Sequence, residues 1–193
     1  SENTRQVIYE LDPRTFDIVG TYKFRDASVL AHMNTLTYNP DTNLLYTTNA
    51  MVDGHRITTI DADTMSIGNT ITIPERVFNL AYDKKTNQFI SIVPIDATMR
   101  RINYYNSQFQ LIWSKDIDAH HDDYNNNGAF ANDGKTIFAT LSTVVTVDKT
   151  GNVTKISSSP KNLEIEDMDM RHNIMYAAVN SNHKVFIYTM LNY

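Results

Sequence analysis

The residue types best suited to chemistry crowd into Asp116-Ile117-Asp118-Ala119-His120-His121-Asp122-Asp123-Tyr124. Imidazole and carboxylate groups are ligands for zinc, manganese or iron. On an extended segment alternate residues point the same way, so His120 and Asp122 can face one ion and His121 and Asp123 another. A metal centre needs a third, well-spaced ligand, and the string offers none. The stretch 116–127 is polar without helical periodicity, so it reads as a solvated loop. No tightly held metal is expected at His120, His121, Asp122 and Asp123, and no cofactor is expected elsewhere.

A second set is His32, Asn34, Arg76, Asn79, Asn126 and Asn127. Amides, imidazole and guanidinium suit sugar hydroxyls or phosphate. The same groups also satisfy buried backbone and water, which is the plainer use. Other stretches read as structural. Asp53-Gly54-His55-Arg56 is a turn. Trp113, Tyr104 and Tyr105 read as packing aromatics. Met168 and Met170 alternate with acids in Glu164-Ile165-Glu166-Asp167-Met168-Asp169, a strand with one apolar and one acidic face. The sequence has no P-loop, GxGxxG, GxSxG or HExxH motif.

These residues need a frame, and the frame is a repeat. The segments 7–24, 57–73, 102–117 and 144–157 share the pattern strand, polar turn, strand. Their turns align at Asp12, Asp61, Tyr105 and Asp148, about 43 to 49 residues apart. A second family, 36–50, 80–94, 128–142 and 167–180, lies between them. In it Tyr38, Tyr82 and Phe130 correspond, as do Tyr46, Ile90, Phe138 and Tyr176. With 183–190 as a last strand, the strands fall into groups of two, four, four, four and three. Four short strands per unit at this spacing mark propeller blades. The expected fold is therefore all-β: a β-propeller of five blades, each of four antiparallel strands, with the first blade incomplete. Residues 1–193 form one domain, which can be an excerpt of a longer chain. The leads into the innermost strands place His32, Asn34, Arg76, Asn79, Asn126 and Asn127 near the central channel.

Composition narrows the function further. The 193 residues include no Cys, which excludes thiolate catalysis, disulfides and Cys-based zinc sites. A net charge of −5 argues against nucleic-acid binding. No apolar run has the length of a membrane span, so no membrane insertion is expected.

The phrase AHMNTLTYNPDTNLLYTTNA (31–50) resembles blades in the five-bladed propeller platforms of receptor-binding tail proteins from phages of Gram-positive bacteria. More loosely, it is similar to YVTN and NHL-type propellers. LAYDKKTNQFISI (80–92) echoes it once. The resemblance implies a virion adhesin that recognises cell-wall glycopolymers such as teichoic acid. His32 and Asn34 fall on the motif. The second repeat has Arg76 and Phe78 at those places, and the third has Tyr124 and Asn126.

The first expectation is thus an extracellular or virion-borne module, without catalytic activity, that binds a cell-surface glycan or glycopolymer and is homo-oligomeric in its full-length protein. A structural or protein-interaction platform is the second reading. A metal-dependent hydrolase with a channel site is the third.

Overall fold

The computed structural model describes residues 6–24, 29–30, 33–49, 54–118, 129–132, 136–139, 143–148, 150–158, 164–171, 174–181 and 184–191. Among them are seventeen strands in five antiparallel sheets, and no helix. The first sheet pairs β1 (Gln6–Leu11) with β2 (Ile18–Phe24). The second runs in chain order through β3 (Met33–Asn39), β4 (Leu44–Asn49), β5 (Arg56–Asp61) and β6 (Ile67–Thr72). The third holds β7 (Ala81–Asp83), β8 (Gln88–Pro94), β9 (Met99–Tyr105) and β10 (Leu111–Asp118). The fourth holds β11 (Ala129–Asn132), β12 (Thr136–Ala139), β13 (Thr143–Val147) and β14 (Val153–Ser158). The fifth holds β15 (Glu164–Arg171), β16 (Ile174–Ser181) and β17 (Lys184–Leu191). The expected grouping of strands is the observed one, and the arrangement is β-propeller-like.

Turn chemistry fixes the repeat. The Asp12 carboxylate accepts the N–H groups of Arg14 and Thr15 at 2.8 and 3.0 Å. Asp61 does the same for Asp63 and Thr64 at 3.1 and 2.8 Å. Asp148 takes those of Thr150 and Asn152, both at 2.8 Å. In the third sheet the equivalent acceptor is Asn106, which takes Gln108 and Gln110 at 3.0 and 2.9 Å. The sequence alignment through Tyr105 is therefore one residue early. Tyr105 is the last strand residue, pairs with Leu111 and is fully buried. Each turn then closes with a left-handed residue: Phe16, Met65, Phe109 or Gly151.

The inner turns use another device. Asn43 (φ 56°) and Asn87 (φ 54°) are left-handed, a conformation Asn tolerates better than most residues. Tyr38 donates its hydroxyl to Asn43 Oδ1 at 2.9 Å, and Tyr82 donates to Asn87 Oδ1 at 3.0 Å. Phe130 does not share this place. The paired residues Asn132 and Thr136 are one position closer in sequence than Asn39 and Leu44 or Asp83 and Gln88, so Phe130 pairs with Phe138, as Thr37 does with Tyr46 and Ala81 with Ile90. Tyr46, Ile90, Phe138 and Tyr176 are each the third residue of the second strand in their sheets, as the repeat required.

Both faces of a central sheet are covered, which explains why LLYTT and FISIV lack polar alternation. Tyr46, Ile57, Phe89, Tyr105 and Phe109 fill the space between the second and third sheets. Phe89 and Phe109 stack there with centroids 4.4 Å apart. Ile90, Ile92, Ile102, Val145 and Val147 join the third to the fourth. Val144 packs with Met168, Met175, Ala177 and Val179 between the fourth and fifth. Ile8, Phe24 and Leu30 close over Ile60 between the first and second. On the inside, β3 lies against β7, β7 against β11, β11 against β15, and β15 against β3.

Candidate functional site

Of the six residues chosen from the sequence, the structure describes the side chains of Arg76 and Asn79. Asn79 is buried, and its Oδ1 accepts the Ile92 N–H at 3.0 Å. That bond carries the β7–β8 ladder past the end of a three-residue strand, so Asn79 serves the backbone. The Arg76 guanidinium lies over the Phe78 ring, 4.8 Å from its centroid. Asn34 sits in β3, at a register shift between Met33 and Leu36. His32, Asn126, Asn127 and the string His120, His121, Asp122, Asp123 fall outside the described residues. The aromatic pair of the third sheet is packing, as expected: Tyr104 and Trp113 stack with centroids 4.1 Å apart beside the core.

A cavity of about 340 Å³ opens instead where β3, β7 and the fifth sheet meet. Its volume lies within the usual range for small-ligand sites, about 300–1,000 Å³. One wall is the acidic face of β15 with its neighbour: Asp167, Asp169, Tyr176 and Ala178. Asp167 is paired with Ala178 and Asp169 with Tyr176, so all four side chains share one face. The opposite face carries Met168, Met175, Ala177 and Val179 into the core. Leu36, Thr37 and Tyr38 form the other wall, and Leu80, Ala81 and Tyr82 the floor.

Two of the tyrosines are anchored at their tips. Tyr38, 47% exposed, is held through Asn43. Tyr82 donates to Asn87 Oδ1 and lies 3.0 Å from Asp41 Oδ2. Burial first, and Asp41 second, push the Tyr82 hydroxyl up to about 12, so it stays a neutral donor. Tyr176 meets Phe16 of the first sheet, with ring centroids 6.4 Å apart.

Asp167 holds the two walls together. Its Oδ2 accepts the Leu36 N–H at 3.2 Å and lies 3.4 Å from Thr35 Oγ1, while Oδ1 accepts its neighbour's N–H, from Met168, at 3.0 Å. Thr35 Oγ1 is also 3.3 Å from the Leu80 carbonyl. One hydroxyl proton cannot serve both acceptors at once. A protonated Asp167 resolves this by donating to Thr35 while Thr35 donates to Leu80. The pKa agrees: burial raises it to about 7, Asp169 adds to the rise, and the amide and hydroxyl bonds oppose it. Asp167 is partly exposed by surface area yet deep by surroundings. Depth governs the lost hydration, because a cavity wall open to a small molecule is still ringed by protein.

The alternation of acids and methionines along β15 was the sequence signal for this wall. What it lacked was a reason to place the acidic face on a cavity and not in bulk water.

No protein-family model matches the sequence, and no curated protein matches it. Among solved structures, the crystal structure of Myxococcus xanthus glutaminyl cyclase aligns with a TM-score of 0.64 at 11% identity, over 95% of this chain and 82% of that one. The crystal structure of the computationally designed Ika4 protein aligns with a TM-score of 0.48 at 16% identity, over 82% of this chain and 91% of that one. The likeness to the cyclase supports a β-propeller-like all-β fold and adds nothing to the phage tail resemblance, which rests on residues 31–50. It also corrects one expectation. Glutaminyl cyclase is an enzyme, so a chain of this fold cannot be read as lacking catalytic activity. At 11% identity the likeness shows the fold and assigns no reaction.

Proposed function

We propose that this chain is a recognition module of an extracellular or virion-borne protein and that it binds a cell-surface glycan in the cavity between β3 and β15. The observation that carries the reading is the pair of tip-anchored rings, Tyr38 and Tyr82, beside Thr37 and two carboxyl groups. Rigid aromatic rings offer apolar area to sugar faces, and the polar groups offer hydrogen bonds to hydroxyls. The phage adhesin resemblance at 31–50 includes Leu36, Thr37 and Tyr38, three residues of this cavity.

The propeller reading is refined in the same proposal. The first sheet packs on the second through Ile8 and Ile60 and touches the fifth through Phe16 and Tyr176. These contacts support a ring of five sheets in which the first contributes its outer pair.

A rigid frame loses little entropy on binding, and a homo-oligomer presenting several copies converts weak sites into avidity. Binding by one copy is expected on the order of millimolar to micromolar. The test compares retention of a multimerised form on intact Gram-positive cells and on cells stripped of wall glycopolymers. Equal retention on both removes the glycan reading.

A further inference from the structure

We propose that Asp167 and Thr35 form a proton-operated latch on the cavity, one that holds the lead into β7 in its acid form and releases it in its basic form. The inference stands apart from what the cavity binds. Thr35 is buried in β3, between the carboxyl group of Asp167 on β15 and the carbonyl of Leu80, the residue before β7. Its Oγ1 lies 3.4 and 3.5 Å from the two Asp167 oxygens and 3.3 Å from the Leu80 oxygen. A hydroxyl has one proton to donate. In the acid form Asp167 donates to Thr35 and Thr35 donates to Leu80, a chain from β15 through β3 to the lead into β7. An ionised Asp167 accepts only, and a charged acceptor draws a hydroxyl proton more strongly than a carbonyl does. Thr35 then turns to Asp167, and Leu80 loses that donor. The Leu36 and Met168 N–H bonds to the carboxyl group persist in both forms, since its oxygens accept in both. Phe78, two residues before Leu80, is held separately by the Thr48 hydroxyl at 3.0 Å. Release is thus local to Leu80, which lines the cavity floor beside Ala81.

The surroundings set where the latch turns. Burial is the largest influence on Asp167 and pushes it up to about 7, Asp169 adds to the rise, and the bonds from Leu36, Met168 and Thr35 oppose it. Asp169 itself accepts the Met170 N–H at 2.8 Å. Packed against β15 are β3 with Tyr38, β16 with Tyr176, and β11, whose residues Ala129, Phe130, Ala131 and Asn132 carry no titratable group. Beyond β3, β7 brings Tyr82, a neutral donor, and Asp83, which accepts from Lys85 and Thr86 in its own turn. On β15 itself Glu166 is exposed, and Arg171 follows Asp169 by two residues on the same face. The side chains of Glu164 and Arg171 lie outside the described residues. A guanidinium beside Asp167 lowers the pH at which the latch turns and leaves the exchange of bonds the same.

The test is a pH titration of the intact chain by nuclear magnetic resonance, with the Asp carboxyl and backbone carbonyl carbons labelled. The Asp167 carboxyl is expected to titrate well above the ordinary 3.8, near 7, and the Leu80 carbonyl to shift in the same step. The Phe78 carbonyl, held by the Thr48 hydroxyl, should stay still. Thr35→Val should leave Asp167 titrating and uncouple Leu80 from it. Asp167→Asn should abolish the Leu80 step in a chain whose spectrum is otherwise that of the folded protein. A carboxyl midpoint at 3.8 or below overturns the latch. So does a Leu80 carbonyl that stays still while Asp167 titrates, or one that shifts together with Phe78, since a general rearrangement then explains it. A Leu80 step that survives in Thr35→Val overturns it too, because another group then carries the signal.

Discussion

The N–H of Leu36 is bonded to the carboxyl group of Asp167 at 3.2 Å, across 131 positions of sequence. This contact ties the inner strand of the second sheet to that of the fifth. Its titration has a definite sign. The folded pKa is about 7, against an ordinary value of 3.8. Between those pH values the folded chain holds a proton that the unfolded chain has released. The stabilisation is full below the unfolded pKa and is lost as pH rises through about 7. At about 1.4 kcal/mol per tenfold change in proton affinity, the loss is on the order of a few kcal/mol. Urea titrations from pH 4.5 to 8 should show wild-type stability falling across this window. In Asp167→Asn the slope should flatten, because the amide carries no titrating proton.

Strongly acidic solution should act in the opposite direction. Hydrogen bonds within their turns hold Asp12, Asp61 and Asp96 below the usual carboxylate range, and Asp148 at about 2. These groups favour folding above their unfolded pKa and withdraw that support as pH falls through the folded values. They are solvent-exposed, so each contribution is small. Replacing Asp148 with Asn should therefore shift the acid limb of the stability profile slightly and leave the neutral limb unchanged.

The shared turn register can be tested by exchange. Asn106→Asp places the acid used at Asp12, Asp61 and Asp148 in an equivalent position, and should change stability by no more than about 0.5 kcal/mol. Tyr105→Asp puts a carboxylate where a fully buried ring now sits. It should prevent cooperative folding, read as a lost thermal transition. Tolerance of both substitutions would sink the register.

Phe89 is fully buried and meets Tyr46, Tyr82 and Phe109. Phe89→Ala should cost about 3–5 kcal/mol in denaturant titrations. Phe109 adds a complication: it packs into this cluster from a left-handed backbone (φ 59°). Phe109→Gly should destabilise by less than Phe89→Ala, because released backbone strain of about 1–3 kcal/mol offsets part of the lost packing.

Asn87 separates backbone from side-chain effects. Asn87→Gly keeps the left-handed turn and deletes the bond to Tyr82, while Asn87→Ala forfeits both. Ala should be the worse by about 1 kcal/mol. Both variants should weaken glycan binding if the Tyr82 ring must be held at its tip. Tyr82 keeps Asp41 Oδ2 at 3.0 Å in both, so the tip is freed by combining Asn87→Gly with Asp41→Ala, and unchanged binding in that double variant would remove Tyr82 from the ligand's contacts.

The strand partition was legible because it is written in local chemistry. Asx turns and an apolar run on each side of them repeat with the unit, whatever the tertiary contacts. Registers were less legible: Asn106 and Phe130 were each displaced by one, Phe130 because one residue fewer between paired strands moves side chains to the opposite face. The candidate site was legible only as a pattern. Asp167 and Asp169 stood on a recognisable acidic face, but the strand opposite them, β3, lies more than a hundred residues away. Asn79 was attractive because it is an amide, and the same amide substitutes for a missing ladder bond.

The two-stranded first sheet has a consequence for how the chain behaves among its own copies. Within the described residues β1 pairs with β2 alone, whereas the corresponding strands β5, β9 and β13 are each bonded on both sides. Tyr9, Ile18 and Val19 are exposed on this pair of strands, an apolar surface that association between copies can cover. Solubility should accordingly fall with concentration sooner than the net charge of −5 suggests. Tyr9→Lys should raise it by charging that surface.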